Sequence, residues 1–191
     1  MEAVARFRES FPGISVIPRD VLNQPITALV KAEAVDFGVG SLNEADPDLR
    51  FTVLFTDRMR VVFPPESALG GKKVIELRDL VGLPLVLMEP ESSVRKLVDR
   101  AFESIGELVP PVLEATYMST AAGMVRAGLG ITILPSAALE MGDLSGLSSR
   151  VIKNPELTRE IGVIQKAGRS LSPAAESFLN SLKDVCGELS R

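Results

Sequence analysis

Three pairs of small polar residues stand where ligand chemistry could be done: Asn23 and Gln24, Ser92 and Ser93, and Ser119 and Thr120. Each pair follows a segment that reads as extended and opens one that reads as helical. The first backbone N–H groups of a helix have no partner within it, and the helix dipole adds partial positive charge, so such a head attracts a carboxylate or a phosphate. The pattern points to binding of a small anionic ligand. A Ser, Thr or Asn at that position is, taken alone, more often a cap that closes the helix, and the residues leave both readings open.

Other chemistries find less support. Histidine is absent, which removes Ser-His and Cys-His nucleophiles, His-ligated zinc and imidazole acid-base catalysis together. No metal site, catalytic residue or cofactor is expected. Glu89 and Glu91 flank Pro90 close to the Ser92 helix, but neither has a visible proton-transfer partner, and they read as non-catalytic carboxylates favouring the helix dipole. Asp57 and Arg58 could form a charged pair in a hinge or touch a ligand, although a solvated turn carries more weight. Gly70-Gly71-Lys72-Lys73 lacks the strand, spacing and helix of a phosphate-binding loop and reads as a turn. Met59, Met88, Met118, Met124 and Met141 read as core filling. The single Cys186 cannot form an internal disulfide and fits a small, partly buried apolar side chain in a helix.

The elements that position the polar heads alternate along the chain. In Tyr117 to Leu139, Ser119 and Thr120 are expected to cap a helix with Ala121, Ala122, Met124 and Val125 on its apolar side. Gly128 marks its left-handed end, and Leu129 to Leu134 reads as a buried strand closed by Pro135. Val94, Leu97, Val98, Ala101, Phe102 and Ile105 repeat at helical spacing between Ser92 or Ser93 and Gly106. Strands are expected at Ile14 to Ile17, Val35 to Gly40, Arg50 to Phe55, Met59 to Phe63, Leu85 to Met88, Val112 to Thr116, Arg150 to Ile152 and Arg159 to Gln165. The run from Arg50 to Phe63 is broken at Thr56, Asp57 and Arg58, a candidate crossover between lobes. Val4, Phe7 and Phe11 share one face of a first helix, and Ser172 with Pro173 opens the last one. Repeated strand-helix-strand units argue for parallel sheets covered by helices, and two sheets fit better than one.

The chain has 191 residues, 46% of them hydrophobic, enough for one large domain or two small lobes with a sizeable core. Its apolar runs fall short of the roughly 20 residues a membrane-spanning helix needs. The opening MEAVARFRES has no apolar signal core, so a cytoplasmic location is expected. A formal net charge of -4 opposes a DNA backbone, and the chain is not expected to bind nucleic acid by itself.

Several segments carry a resemblance to a known family. MVRAGLGITILP is similar to the "VaaGlGialLP" signature of the effector-binding domain of LysR-type transcriptional regulators. LVKAEAVDFGVG resembles that family's "L..G.lDlai", and FTDRMRVVFPPESALGGKKVIELRDLVGLPLVL its following stretch. ESSVRKLVDRAF and LSPAAESFLNSL fit in the same order, so the resemblance covers nearly the whole chain.

The resemblance implies an α/β fold of the two-lobed type II periplasmic-binding-protein kind, with parallel-rich sheets flanked by helices. Residues 1–58 would begin lobe I, residues 59–159 form lobe II, and residues 160–191 return to lobe I with a strand and the C-terminal helix. Carried over residue by residue, the effector contacts would be Asn23, Gln24, Gly40, Ser41, Thr56, Ser92, Ser93, Ser119 and Thr120, lining a cleft between the lobes. The implied partners are a small, carboxylate-bearing effector and a second copy of the chain in an antiparallel dimer, with Val4, Phe7 and Phe11 as core or interface. DNA would be met only through a helix-turn-helix domain that these residues do not include. The family's first lobe I strand is also missing from them, so an incomplete or rearranged lobe I is expected. Competing readings on the same architecture are a transporter's solute-binding protein and a small lyase or dehydratase.

Overall fold

In the computed structural model, residues 2–21, 23–42, 44–142, 144–153 and 156–189 are described. The chain opens with α1 (Glu2–Ser10), α2 (Asn23–Lys31), β1 (Gly38–Gly40) and the long β2 (Leu49–Phe63). It continues through β3 (Ile75–Glu76), β4 (Leu85–Met88), α3 (Ser93–Ser104), β5 (Leu113–Ala115), α4 (Met118–Arg126), β6 (Ile131–Pro135) and α5 (Ser136–Met141). The last elements are β7 (Ser148–Lys153), β8 (Thr158–Lys166) and α6 (Pro173–Leu189). The chain divides into two compact units, one made of Met1–Thr56 and Glu160–Arg191, the other of Asp57–Arg159. It passes from one to the other within β2 and again within β8.

The second unit is built on three parallel strands. β4 is flanked by β5, with Met88 opposite Ala115, and by β6, with Val86 opposite Thr132. All four residues of β4 and all five of β6 are buried, as continuous apolar runs in a sheet covered on both faces must be. The carboxyl-terminal half of β2 adds antiparallel pairs, Val61 to Ile133 and Val61 to Arg150, so the sheet is mixed. Met59, Val61, Val62 and Phe63 of β2 pack with Val94, Val98 and Phe102 of α3 in one core. Gly130 is required by close approach: its φ is +151°, and a Cβ there would stand 2.3 Å from the carbonyl oxygen of Pro84, which only glycine tolerates.

The first unit pairs β1 antiparallel with β8, Val39 opposite Val163. Val30 of α2, Leu49 and Ile164 form its small buried core, with Ile26, Val35, Leu42 and Phe51 packed around them. α1 lies against α6. The Phe7 ring meets Phe178 edge to face at 5.2 Å, a geometry that aromatic quadrupoles favour. Phe7 is therefore core, whereas Phe11 is left 40% exposed.

Three expectations need correction. Ile14 to Ile17 is not a strand: it joins no ladder and Ile17 is 77% exposed. A β-branched run becomes a strand only where a neighbour accepts its backbone bonds and its side chains find cover. The run around Thr56, Asp57 and Arg58 is not broken, because β2 continues through it as one strand. Nor do those residues form a solvated turn, since Asp57 is 4% exposed. Ser119 and Thr120 do not cap α4; the cap position falls on Tyr117.

Candidate functional site

The parallel strands of the second unit each deliver a helix at the same edge. β4 ends at Met88 and leads to α3, β5 ends at Ala115 and leads to α4, and β6 ends at Pro135 and leads directly to α5. In open α/β sheets this carboxyl edge is where ligands collect, because helix heads and strand ends converge there. Ser92, Ser93, Ser119 and Thr120 all belong to it.

The two pairs differ in what they do locally. Ser92 is a cap in fact: its hydroxyl accepts the backbone N–H of Val94 at 3.2 Å, and its carbonyl accepts that of Lys96 at 3.1 Å. Ser93, the first residue of α3, is buried. At the head of α4 no side chain performs this service. Ser119 and Thr120 are the second and third residues of that helix and are exposed. Their hydroxyls, with the N–H groups of the first turn, are donors available to an acceptor from outside the helix.

The group that completes this edge is Arg159. One terminal nitrogen of its guanidinium donates to a carboxylate oxygen of Asp57 at 3.2 Å. The other stands 3.5 Å from the hydroxyl oxygen of Ser93. The remaining oxygen of Asp57 accepts the N–H of Ala137 in the first turn of α5, at 3.1 Å. Asp57 thereby ties the guanidinium and a third helix head together. The Arg159 Nε is buried and has no partner. Burial pulls the guanidinium below its usual pKa, against the attraction of Asp57; it nonetheless remains a cation at neutral pH. The result is a held positive charge with one donor unspent, beside the polar head of α3.

Glu89 is occupied, its carboxylate accepting the Thr116 hydroxyl at 2.7 Å. Arg58 pairs on the surface with Glu156 at 3.0 Å. Among the described residues no cluster of acidic or thiol side chains is arranged to hold a metal ion, and no helix is long and apolar enough to cross a membrane.

The other residues named from the sequence lie in the first unit. Gly40 ends β1 opposite Gly162, Ser41 behind it is buried, and Thr56 is an exposed residue of β2. Asn23 and Gln24 open α2; their side chains lie outside the described residues. Arg159 was not singled out by the sequence, where it reads only as the start of an extended run. The signal was present, because Arg159 is a lone cation at the second crossover and Asp57 a lone anion at the first.

A model of the LysR substrate binding domain matches residues 1–187, and the chain belongs to that family. It is similar to the uncharacterised HTH-type transcriptional regulator YbhD of Escherichia coli (strain K12), with 28% identity over 92% of the chain and 56% of that protein. It thus spans little more than half of that relative's length. Many solved structures share the fold, and two of them illustrate it. One is the effector binding domain of QuiR in complex with shikimate, with a TM-score of 0.86 and 22% identity over 98% of this chain and 90% of that one. The other is the BenM effector binding domain with benzoate, with a TM-score of 0.86 and 21% identity over 100% and 87%.

Proposed function

We propose that the chain is the ligand-sensing and dimerising part of a transcriptional regulator, and that its effector is a small molecule bearing a carboxylate. The observation that carries this reading is Arg159, a largely buried guanidinium with Nε unspent beside Ser93 and the head of α3. A carboxylate is the acceptor that such a donor set fits in charge and in planar geometry. The named ligands of the QuiR and BenM domains, shikimate and benzoate, are carboxylates as well.

The site binds and does not transform. A guanidinium neither takes nor gives a proton at neutral pH, and Asp57 is already engaged by two donors, so no group is poised for acid-base work. Ser92, Ser93, Ser119 and Thr120 are the proposed contacts in the second unit. Asn23, Gln24, Gly40, Ser41 and Thr56 are the contacts that the family resemblance implies in the first. Effector binding would bias the chain toward one arrangement, and a homodimer using Val4 and Phe11 would pass that bias to a helix-turn-helix domain in the full-length protein, in the cytoplasm.

Calorimetric titration with a panel of aromatic and aliphatic carboxylates tests the reading. Saturable binding is expected for at least one member, weakened about tenfold or more in Arg159→Gln, as expected for loss of a charge-assisted bond. The ligand should be recovered unchanged by NMR. Failure of the whole panel, or recovery of a chemically altered ligand, refutes it.

A further inference from the structure

The first unit carries a second polar hollow that the effector reading leaves unused. It has a volume of about 540 Å³ and lies along α6, lined by Arg50 and Thr52 of β2, Gln165 of β8, Arg169, and Glu176, Asn180 and Lys183 of α6. The spacing of Glu176, Asn180 and Lys183 puts them on one helix face, while Arg50 and Thr52 lie on one face of their strand. Packing of the elements therefore gathers these polar groups into one groove.

Its cations are of two kinds. Arg169 is committed to structure: it donates to the carbonyl of Val35 at 3.1 Å and faces Glu33 at 3.6 Å and Asp36 at 4.0 Å. Arg50 and Lys183 have no ion pair among the described residues, and neither does Glu176. Two unpaired cations line it against a single carboxylate, with the Thr52 hydroxyl and the Gln165 and Asn180 amides supplying neutral donors. The volume falls within the range that holds a small metabolite.

From this we infer that the hollow is a second ligand site, taking a small, oxygen-rich anion of two or more negative charges, a phosphate ester or a polycarboxylate. Arg50 and Lys183 bind its charges, Thr52, Gln165 and Asn180 its remaining oxygens. A nucleic-acid backbone fits less well: the chain's net charge of -4 opposes a polyanion on the scale of a duplex but not a small ion within a local positive field. The inference does not depend on the effector reading, since none of its residues belongs to the Arg159 site.

Thermal-shift and calorimetric titrations of the 191-residue chain with inorganic pyrophosphate and with citrate, at low ionic strength, test it. One or both should bind and raise the melting temperature. Affinity should fall about tenfold or more in Arg50→Gln/Lys183→Gln, whose circular dichroism should stay as in the parent because both side chains are exposed and unpaired. Glu176→Gln should bind more tightly. No response to either probe overturns the inference. So does a response that survives the double substitution, or binding of a short DNA duplex alone.

Discussion

Arg159 and Asp57 lie 102 residues apart in the chain and meet at 3.2 Å, each where the chain crosses between its two compact units. The Asp57 side chain is 2% exposed and that of Arg159 16%. Taking two charges so far out of water costs several kcal/mol per ion, and only mutual attraction with further hydrogen bonds offsets it. The Ala137 N–H on the second oxygen of Asp57 supplies one such bond. This pair is thus a fastening of the second unit as well as one wall of the candidate site.

Removing one partner should therefore cost more than removing both. Arg159→Ala leaves the carboxylate buried with a single N–H donor and is expected to destabilise the chain by about 3 kcal/mol. Asp57→Asn/Arg159→Gln should recover much of that loss. Urea unfolding of the three proteins checks the order, and a single variant as stable as the parent would contradict it.

Ser92 should behave as a cap irrespective of any ligand. Ser92→Ala removes the acceptor for the Val94 N–H and should cost about 1 kcal/mol, whereas Ser92→Gly should cost a few tenths. Ser119→Ala caps nothing and should leave the unfolding midpoint unchanged while weakening effector binding.

Thr132 lies in β6 at 0% exposure, and its hydroxyl has no hydrogen-bond partner. A buried hydroxyl without a partner keeps its desolvation cost, so Thr132→Val should stabilise the chain by about 1 kcal/mol. Calorimetry should show a melting temperature higher by roughly 2–4 °C. A lowered one would mean that the hydroxyl is satisfied.

Asp79 gives a pH dependence with a definite sign. The Lys72 ammonium, and next the N–H of Glu76 at 2.9 Å, hold its carboxyl below the ordinary carboxylate value. With the folded pKa depressed, its contribution is present above the unfolded value near about 4 and is lost as pH falls through the folded one. Asp79→Asn should flatten the acid limb of the stability profile, and Lys72→Gln should move the Asp79 titration upward by NMR. An Asp79 that titrates alike with and without Lys72 would exclude this account.

Much of the architecture was legible because it is written locally. Leu85 to Met88 is a bounded apolar run and is β4 as expected. The apolar repeat from Val94 to Phe102 with Ser92 before it is α3 with Ser92 as its cap. Gly128, with φ of +76°, ends α4 as a left-handed residue should. Ser172 accepts the Ala175 N–H at the head of α6, at 3.2 Å. The ordered motifs then carried the family, because they register the whole chain and no single element.

Which residues find neighbours was settled by the folded chain and not by local sequence. Ile14 to Ile17 has the composition of a strand but no ladder to join, and a ladder is a property of two segments. Asp57 looks like a turn residue in its own window, yet β2 runs straight through it and a cation 102 residues away makes its burial possible. Ser92 and Ser119 are alike in sequence, and only the folded helix starts separate a satisfied cap from a free head. Spacing and composition encode interactions within a few residues. The charge of Arg159 and the donors around it converge through sheet order, which no local pattern specifies.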